Sequence, residues 1–291
     1  APVGRINVTH EPPTFLSVER PSYHKYIIPT TWFGNGFEFN YRMGDFSFGL
    51  TLMEDLVGDA VNPTDKYAFR DHRGKGDTST TSDLTKILTF KWNGVEGLSV
   101  GGSYTMNQMP VSGVDGVDAG SSWSWECADA NCTDPSTGTW VEDTWGEEDA
   151  IAATTIGLNL MELNIGYNAH NVMAVFEMAD GSFDMDDYNT AHSIAHEKSF
   201  TGHYLDLGYN IGSLLPGDCN LAVWTRISSW DSNTKLDDSK DVGEVSKSLF
   251  GITWWPNENV SFKVDMGTMD TDWTGGSSSS DVMNIGIGYM F

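Results

Sequence analysis

The sequence predicts an all-β chain folded as a transmembrane antiparallel β-barrel, and three observations carry that expectation. Apolar residues alternate with polar or small ones in eleven segments, the period-two signature of a strand with one greasy face. The connections between these segments are alternately short and long, the layout of outer-membrane barrels. No apolar run approaches the ~20 residues of a spanning helix, whereas a barrel strand needs only ~9–11.

The eleven segments are 36–43, 46–57, 84–93, 98–109, 154–167, 171–180, 201–213, 219–230, 245–255, 259–270 and 281–291. In the first, Phe37, Phe39, Tyr41 and Met43 alternate with Glu38, Asn40 and Arg42. Gly44-Asp45 is a tight hairpin signal, after which Phe46, Phe48, Leu50 and Leu52 alternate with Ser47, Gly49 and Thr51. In the last, Met283, Ile285, Ile287, Tyr289 and Phe291 oppose Val282, Asn284, Gly286, Gly288 and Met290. Between Leu160 and Leu163 the apolar phase slips by one, which predicts a bulge near Met161-Glu162. The longer connections 58–83, 110–153, 181–200, 231–244 and 271–280 are polar and mostly acidic, as extracellular loops are. Phe90, Trp92, Trp230, Trp254, Trp255, Tyr289 and Phe291 lie near strand ends, where interfacial girdles form. Closure would satisfy every backbone group in lipid. Eleven is odd while single-chain bacterial barrels have even numbers, so the chain reads as the C-terminal part of a larger barrel. The first residues lack the layout of a signal peptide, so the chain is either mature or begins internally.

The formal charge is −25, from 41 acidic and 16 basic residues, which makes nucleic acid a poor partner. The acids cluster between strands, where they solvate loops. Asp180, Asp184 and Asp186 could hold Ca²⁺ in an extracellular loop, although the spacing does not match an EF-hand. No other cofactor is expected. Cys127 and Cys132 sit close together in a Gly/Ser/Asp-rich segment, where a local disulfide fits an oxidising envelope compartment. Cys219 reads as a structural thiol. His10-Glu11 lacks the second His of a metalloprotease motif, and His192 and His196, four apart, would suit a metal only on a helix. No catalytic constellation emerges, and an enzyme is not expected.

Residues 1–35 are not strand-like. They carry His10-Glu11-Pro12-Pro13-Thr14-Phe15, Val18-Glu19-Arg20-Pro21 and Ile27-Ile28-Pro29-Thr30-Thr31-Trp32, whose four prolines deny a regular ladder. This segment, with the strands Gly36 to Leu56 and the closing hairpin 259–291, resembles porins related to the phosphate-selective porin O/P family. A chain that stops on an aromatic such as Phe291 also resembles bacterial outer-membrane proteins, where that residue belongs to the assembly signal. The resemblance implies about sixteen strands in full, with 1–35 as the loop that folds into the lumen and 36–291 as barrel wall. It further implies a Gram-negative outer membrane, a bilayer and lipopolysaccharide around the wall, a homotrimer, and small ions and polar solutes passing through. Arg5, His10, Glu11, Arg20, His24 and Lys25 would form the constriction, Arg20 beside Pro21 being the residue expected to narrow and tune it. Strand parity places Glu38, Asn40, Arg42, Lys91, Glu177, Asp206, Arg226, Lys247, Lys263 and Asp265 on the lumen side. That mixed lining is what a general diffusion pore has, and basic residues are too few for a phosphate ladder. The competing readings are a structural or adhesive barrel, and a sheath that houses a partner.

Overall fold

The computed structural model describes residues 1–5, 11–60, 67–77, 80–115, 120–126, 139–145, 150–215, 220–232, 243–273 and 275–290. His10, Cys127, Cys132, Cys219 and Phe291 therefore lie outside the described residues. The strands are β1 (Gly36–Met43), β2 (Phe46–Met53), β3 (Thr85–Val95), β4 (Leu98–Val111), β5 (Gly120–Glu126), β6 (Thr139–Trp145), β7 (Thr154–Ala169), β8 (Val172–Asp184), β9 (Lys198–Asn210), β10 (Asn220–Asp231), β11 (Glu244–Asn257), β12 (Val260–Trp273) and β13 (Gly276–Tyr289). Two short helices, α1 (Tyr23–Tyr26) and α2 (Asp186–His192), complete the list with a few 3-10 turns. Eleven strands form one antiparallel sheet in the order β1-β2-β3-β4-β7-β8-β9-β10-β11-β12-β13. β5 and β6 pair apart from it, inside a connection expected to be plain loop.

Local chemistry explains the turns. Gly44 has φ 58°, and His170 and Asn171 have φ 53° and 65°, the left-handed backbone that two-residue hairpins demand. The outer face is the apolar set of the alternation. Phe39 is 62 % exposed, Phe250 57 % and Ile285 72 %, a burial pattern that a lipid-facing wall explains and a water-facing one does not. At the turn end, Trp92 lies beside Phe46, and Trp254 stacks on Phe262 with ring centroids 5.3 Å apart. Trp230 and Trp255 do not join this girdle. Parity turns both inward, where Trp230 stacks on Tyr26 and the Trp255 indole N–H donates to the Pro13 carbonyl.

The bulge expected near Met161-Glu162 is absent, because β7 runs in unbroken register against both β4 and β8. What changes there is the surroundings of both faces at one level. Outward, Thr155, Gly157 and Asn159 give way to Met161, Leu163 and Ile165, which marks the edge of the apolar band. Inward, buried Ile156, Leu158 and Leu160 give way to Glu162, Asn164 and Gly166. Swapping both faces together mimics a one-residue slip in the sequence.

Residues 1–5 and 11–35 lie against the inner face. They reach Ser99 on β4, Glu177 on β8, Tyr204 on β9, Arg226 on β10, Thr253 on β11, Lys263 on β12 and Gly286 on β13. A single segment can touch so many strands only if the sheet curls around it. The small inner residues of β13 permit the closest approach, since a Cβ on Gly286 would stand 2.7 Å from Val18 and one on Gly288 2.8 Å from Pro12. A second stretch also turns inward, in contrast to the extracellular loop expected over 58–83. Ala68, Phe69 and His72 are buried, and the Ala68 N–H donates to the Tyr26 carbonyl at 2.8 Å. Ala68 and Phe69 join Ile27, Ile28, Trp32, Ile156, Leu158, Phe183 and Phe200 in an apolar core inside the wall. The sequence signal was available, because Arg70, His72, Arg73 and Lys75 form a basic cluster in an acidic chain.

Candidate functional site

The inward segment is irregular, so its buried carbonyls need donors from elsewhere. The wall supplies them. Lys263 Nζ donates to the carbonyls of Pro12 (2.5 Å), Phe15 (2.6 Å) and Ser17 (2.9 Å). The Thr253 hydroxyl donates to the Leu16 carbonyl and itself accepts from the Trp224 indole at 3.0 Å. Asp265 accepts from the Val18 N–H at 2.7 Å and from Asn284 at 2.7 Å. Arg226 forms a two-pronged pair with Asp206 (2.5 and 2.6 Å), and its remaining nitrogen reaches Ser17 Oγ (2.5 Å) and the Glu19 carbonyl (3.3 Å).

A second clasp holds the ends of the segment. Glu177, fully buried, accepts from the Arg5 backbone N–H, lies 2.5 Å from His24 Nε2, and accepts from the Tyr204 hydroxyl at 2.5 Å. Arg5 also donates to Ser99 Oγ at 2.8 Å. Burial, with Glu177 and Glu162 nearby, pushes the adjacent Tyr23 phenol well up, so it stays protonated. Several residues expected to line water are thus spent on holding the segment: His24, Asp206, Arg226, Lys263 and Asp265 are all buried.

The charges left accessible are different ones. Glu11, Arg20 and Lys25 are exposed on the segment, as are Glu38, Arg42 and Lys91 on the wall. Arg20 donates to Thr30 Oγ1, which braces its own segment. One cavity of 590 Å³ is bordered by Glu19, Arg20, Lys25, Arg70 and Lys247, with Lys247 Nζ 3.8 Å from Glu19. Another of 360 Å³ is bordered by Arg5, Asn40, Lys91 and Glu162, the last accepting from Ser103 and Asn164. Sequence reasoning missed Arg70, Thr253, Trp255 and Tyr204, of which only Arg70 had a visible signal.

The structure does not draw the three calcium candidates together. Asp180 and Asp184 lie on the outer face of β8 four residues apart, roughly 13 Å along a strand, too far to share an ion. Among the described residues no group of three or more His, Cys, Asp or Glu side chains could hold a metal. His196 lies beyond α2, which ends at His192, so the two are not on one helix.

His72 adds a pH-dependent contact. Burial, and then the Lys198 charge, lower its pKa from 6.5 to about 4, outweighing the Val57 carbonyl 2.9 Å from Nδ1 and the Asp71 charge. The folded state thus holds a neutral imidazole. Its contribution is complete above pH 6.5 and is lost as pH falls toward 4. Local opening of 67–77 should rise about thirtyfold between pH 7.5 and 5.0, read by hydrogen exchange corrected for intrinsic rates. His72→Phe should abolish that dependence. Equal protection at both pH values would refute it.

No protein-family model matches this chain. A curated relative, an uncharacterised protein of Aquifex aeolicus (strain VF5), is 22 % identical over 293 residues, spanning 100 % of this chain and 60 % of its own length. Among solved structures, an anion-selective porin from Comamonas acidovorans is 9 % identical with a TM-score of 0.49, covering 88 % of this chain and 59 % of that one. OmpT, an outer membrane protein of Vibrio cholerae in its trimer form, is 10 % identical with a TM-score of 0.42, covering 87 % and 63 %. The chain spans about three fifths of the length of each. At such identity no residue role carries over.

Proposed function

We propose that this chain supplies much of the wall and the eyelet of an outer-membrane pore, through which small polar solutes diffuse passively and anions are preferred. The division of charge inside the wall carries the reading. Glu177 and Asp265 are occupied by the inward segment and Asp206 by Arg226, whereas the exposed set holds Arg20, Lys25, Arg42 and Lys91 against Glu11, Glu19 and Glu38, a small basic excess. Fixed charges beside a narrow passage dominate its field. Acidic loops farther off than a Debye length, about 8–10 Å, are largely screened. The proposal includes a bacterial outer membrane with lipopolysaccharide, a homotrimer, and further strands that join the edges β1 and β13.

A plugged, structural barrel is the second reading, favoured by the apolar core that fills part of the interior. Planar-bilayer recording under a KCl gradient separates the two. Stepwise conductance with a reversal potential of anion sign is expected. Arg20→Ala with Lys25→Ala should lower the anion-to-cation permeability ratio by about twofold or more. Cation selectivity in the unaltered protein would overturn the preference, and silence from folded protein would favour the plug.

A further inference from the structure

Three carbonyls that lie far apart in an extended chain converge on one point of the wall. Pro12 and Ser17 would stand roughly 17 Å apart if the segment were stretched. Their oxygens nevertheless meet, with that of Phe15, around Lys263 Nζ, and the Phe15 ring centroid lies 4.0 Å from the same nitrogen. The residue is 2 % exposed. An ammonium has three N–H donors, and these three acceptors match them. Convergent carbonyl dipoles repel one another, and a buried ammonium without partners is costly. Each therefore stabilises the other, and the aromatic face adds a cation–π contact.

We propose that Lys263 is the positioning residue of the inward segment, its ammonium filling a primary-ammonium site built by residues 12–17 and the wall. The site exists only when the segment folds inward, so the turn and the cation form together. Asp265, two residues away on the same face, offsets the charge and pins the next link, Val18. The wall reads the backbone at Pro12, Phe15 and Ser17, beside the packing of Leu16 against Ala222, Trp224 and Leu249.

Removing Lys263 beyond Cβ leaves a gap with the length of n-propylammonium. Hydrogen exchange of residues 11–20 in the purified full chain tests the assignment without reference to conductance, so its failure is distinct from failure of the pore reading. Lys263→Ala should speed exchange in that segment by about tenfold or more while the wall strands keep their protection. Adding about 100 mM n-propylammonium should restore protection to within about twofold, and tetramethylammonium, which has no N–H, should not. Lys263→Met, whose methyl end occupies the gap, should lose protection without rescue. Retained protection in either folded variant, or equal rescue by tetramethylammonium, overturns the proposal. If the Ala variant does not fold, the Met variant decides.

Discussion

Arg226→Met is expected to cost about 3–5 kcal/mol, and adding Asp206→Leu to recover a large part of it. Arg226 and Asp206 are both buried and face each other in direct register on β10 and β9. Their two parallel bonds engage both carboxylate oxygens, and the third guanidinium nitrogen holds Ser17 and Glu19 of the inward segment. The guanidinium also lies 5.5 Å from the Tyr204 ring. Deleting only the arginine strands a carboxylate away from water, which is more costly than the pair is favourable. Deleting both leaves an apolar patch that can pack. Reversible urea unfolding in detergent micelles, run as a double-mutant cycle, measures the difference. A double variant as unstable as Arg226→Met alone would show that the stranded charge is not the cause.

The second large effect belongs to Glu177. Its carboxylate serves three donors at once, the Arg5 N–H, His24 and Tyr204, which come from both ends of the inward segment and from β9. Glu177→Ala leaves all three without this acceptor, the His24 and Tyr204 groups buried and the Arg5 N–H half-buried, at about 1–3 kcal/mol for each buried group before relaxation. A loss of about 3 kcal/mol or more is expected, with Glu177→Gln intermediate because one oxygen can still accept. The damage should be local to residues 1–5 and 21–28 by hydrogen exchange, and single-channel conductance should rise as that part of the segment loosens. If the Ala and Gln variants match the parent in stability and in exchange, the clasp is not what holds the segment.

Much of the wall was legible because strand signals are local. Alternation and turn chemistry located all eleven strands of the main sheet, with ends differing by a few residues, as when the last strand starts at Gly276 instead of Asp281. The hairpin β5–β6 was missed because its Ser and Trp alternation sits in a long acidic, Gly-rich connection that reads as loop. The phase slip in β7 was real as a pattern and wrong as a bulge, since two environmental boundaries coincide there. Parity also assigned the inward charges to a face without saying what stood opposite them.

By itself, the sequence determined the strand-rich wall, its lipid-facing residues and the irregular Pro-rich segment that precedes it. These follow from side-chain periodicity and backbone restrictions that act over a few residues. Only the tertiary structure decided which inward charges meet water and which meet carbonyls. Lys263 and Pro12 are 251 positions apart, and Arg226 and Ser17 209 apart. No local pattern encodes such pairs, because they form only when the curled sheet brings its far strands around the segment.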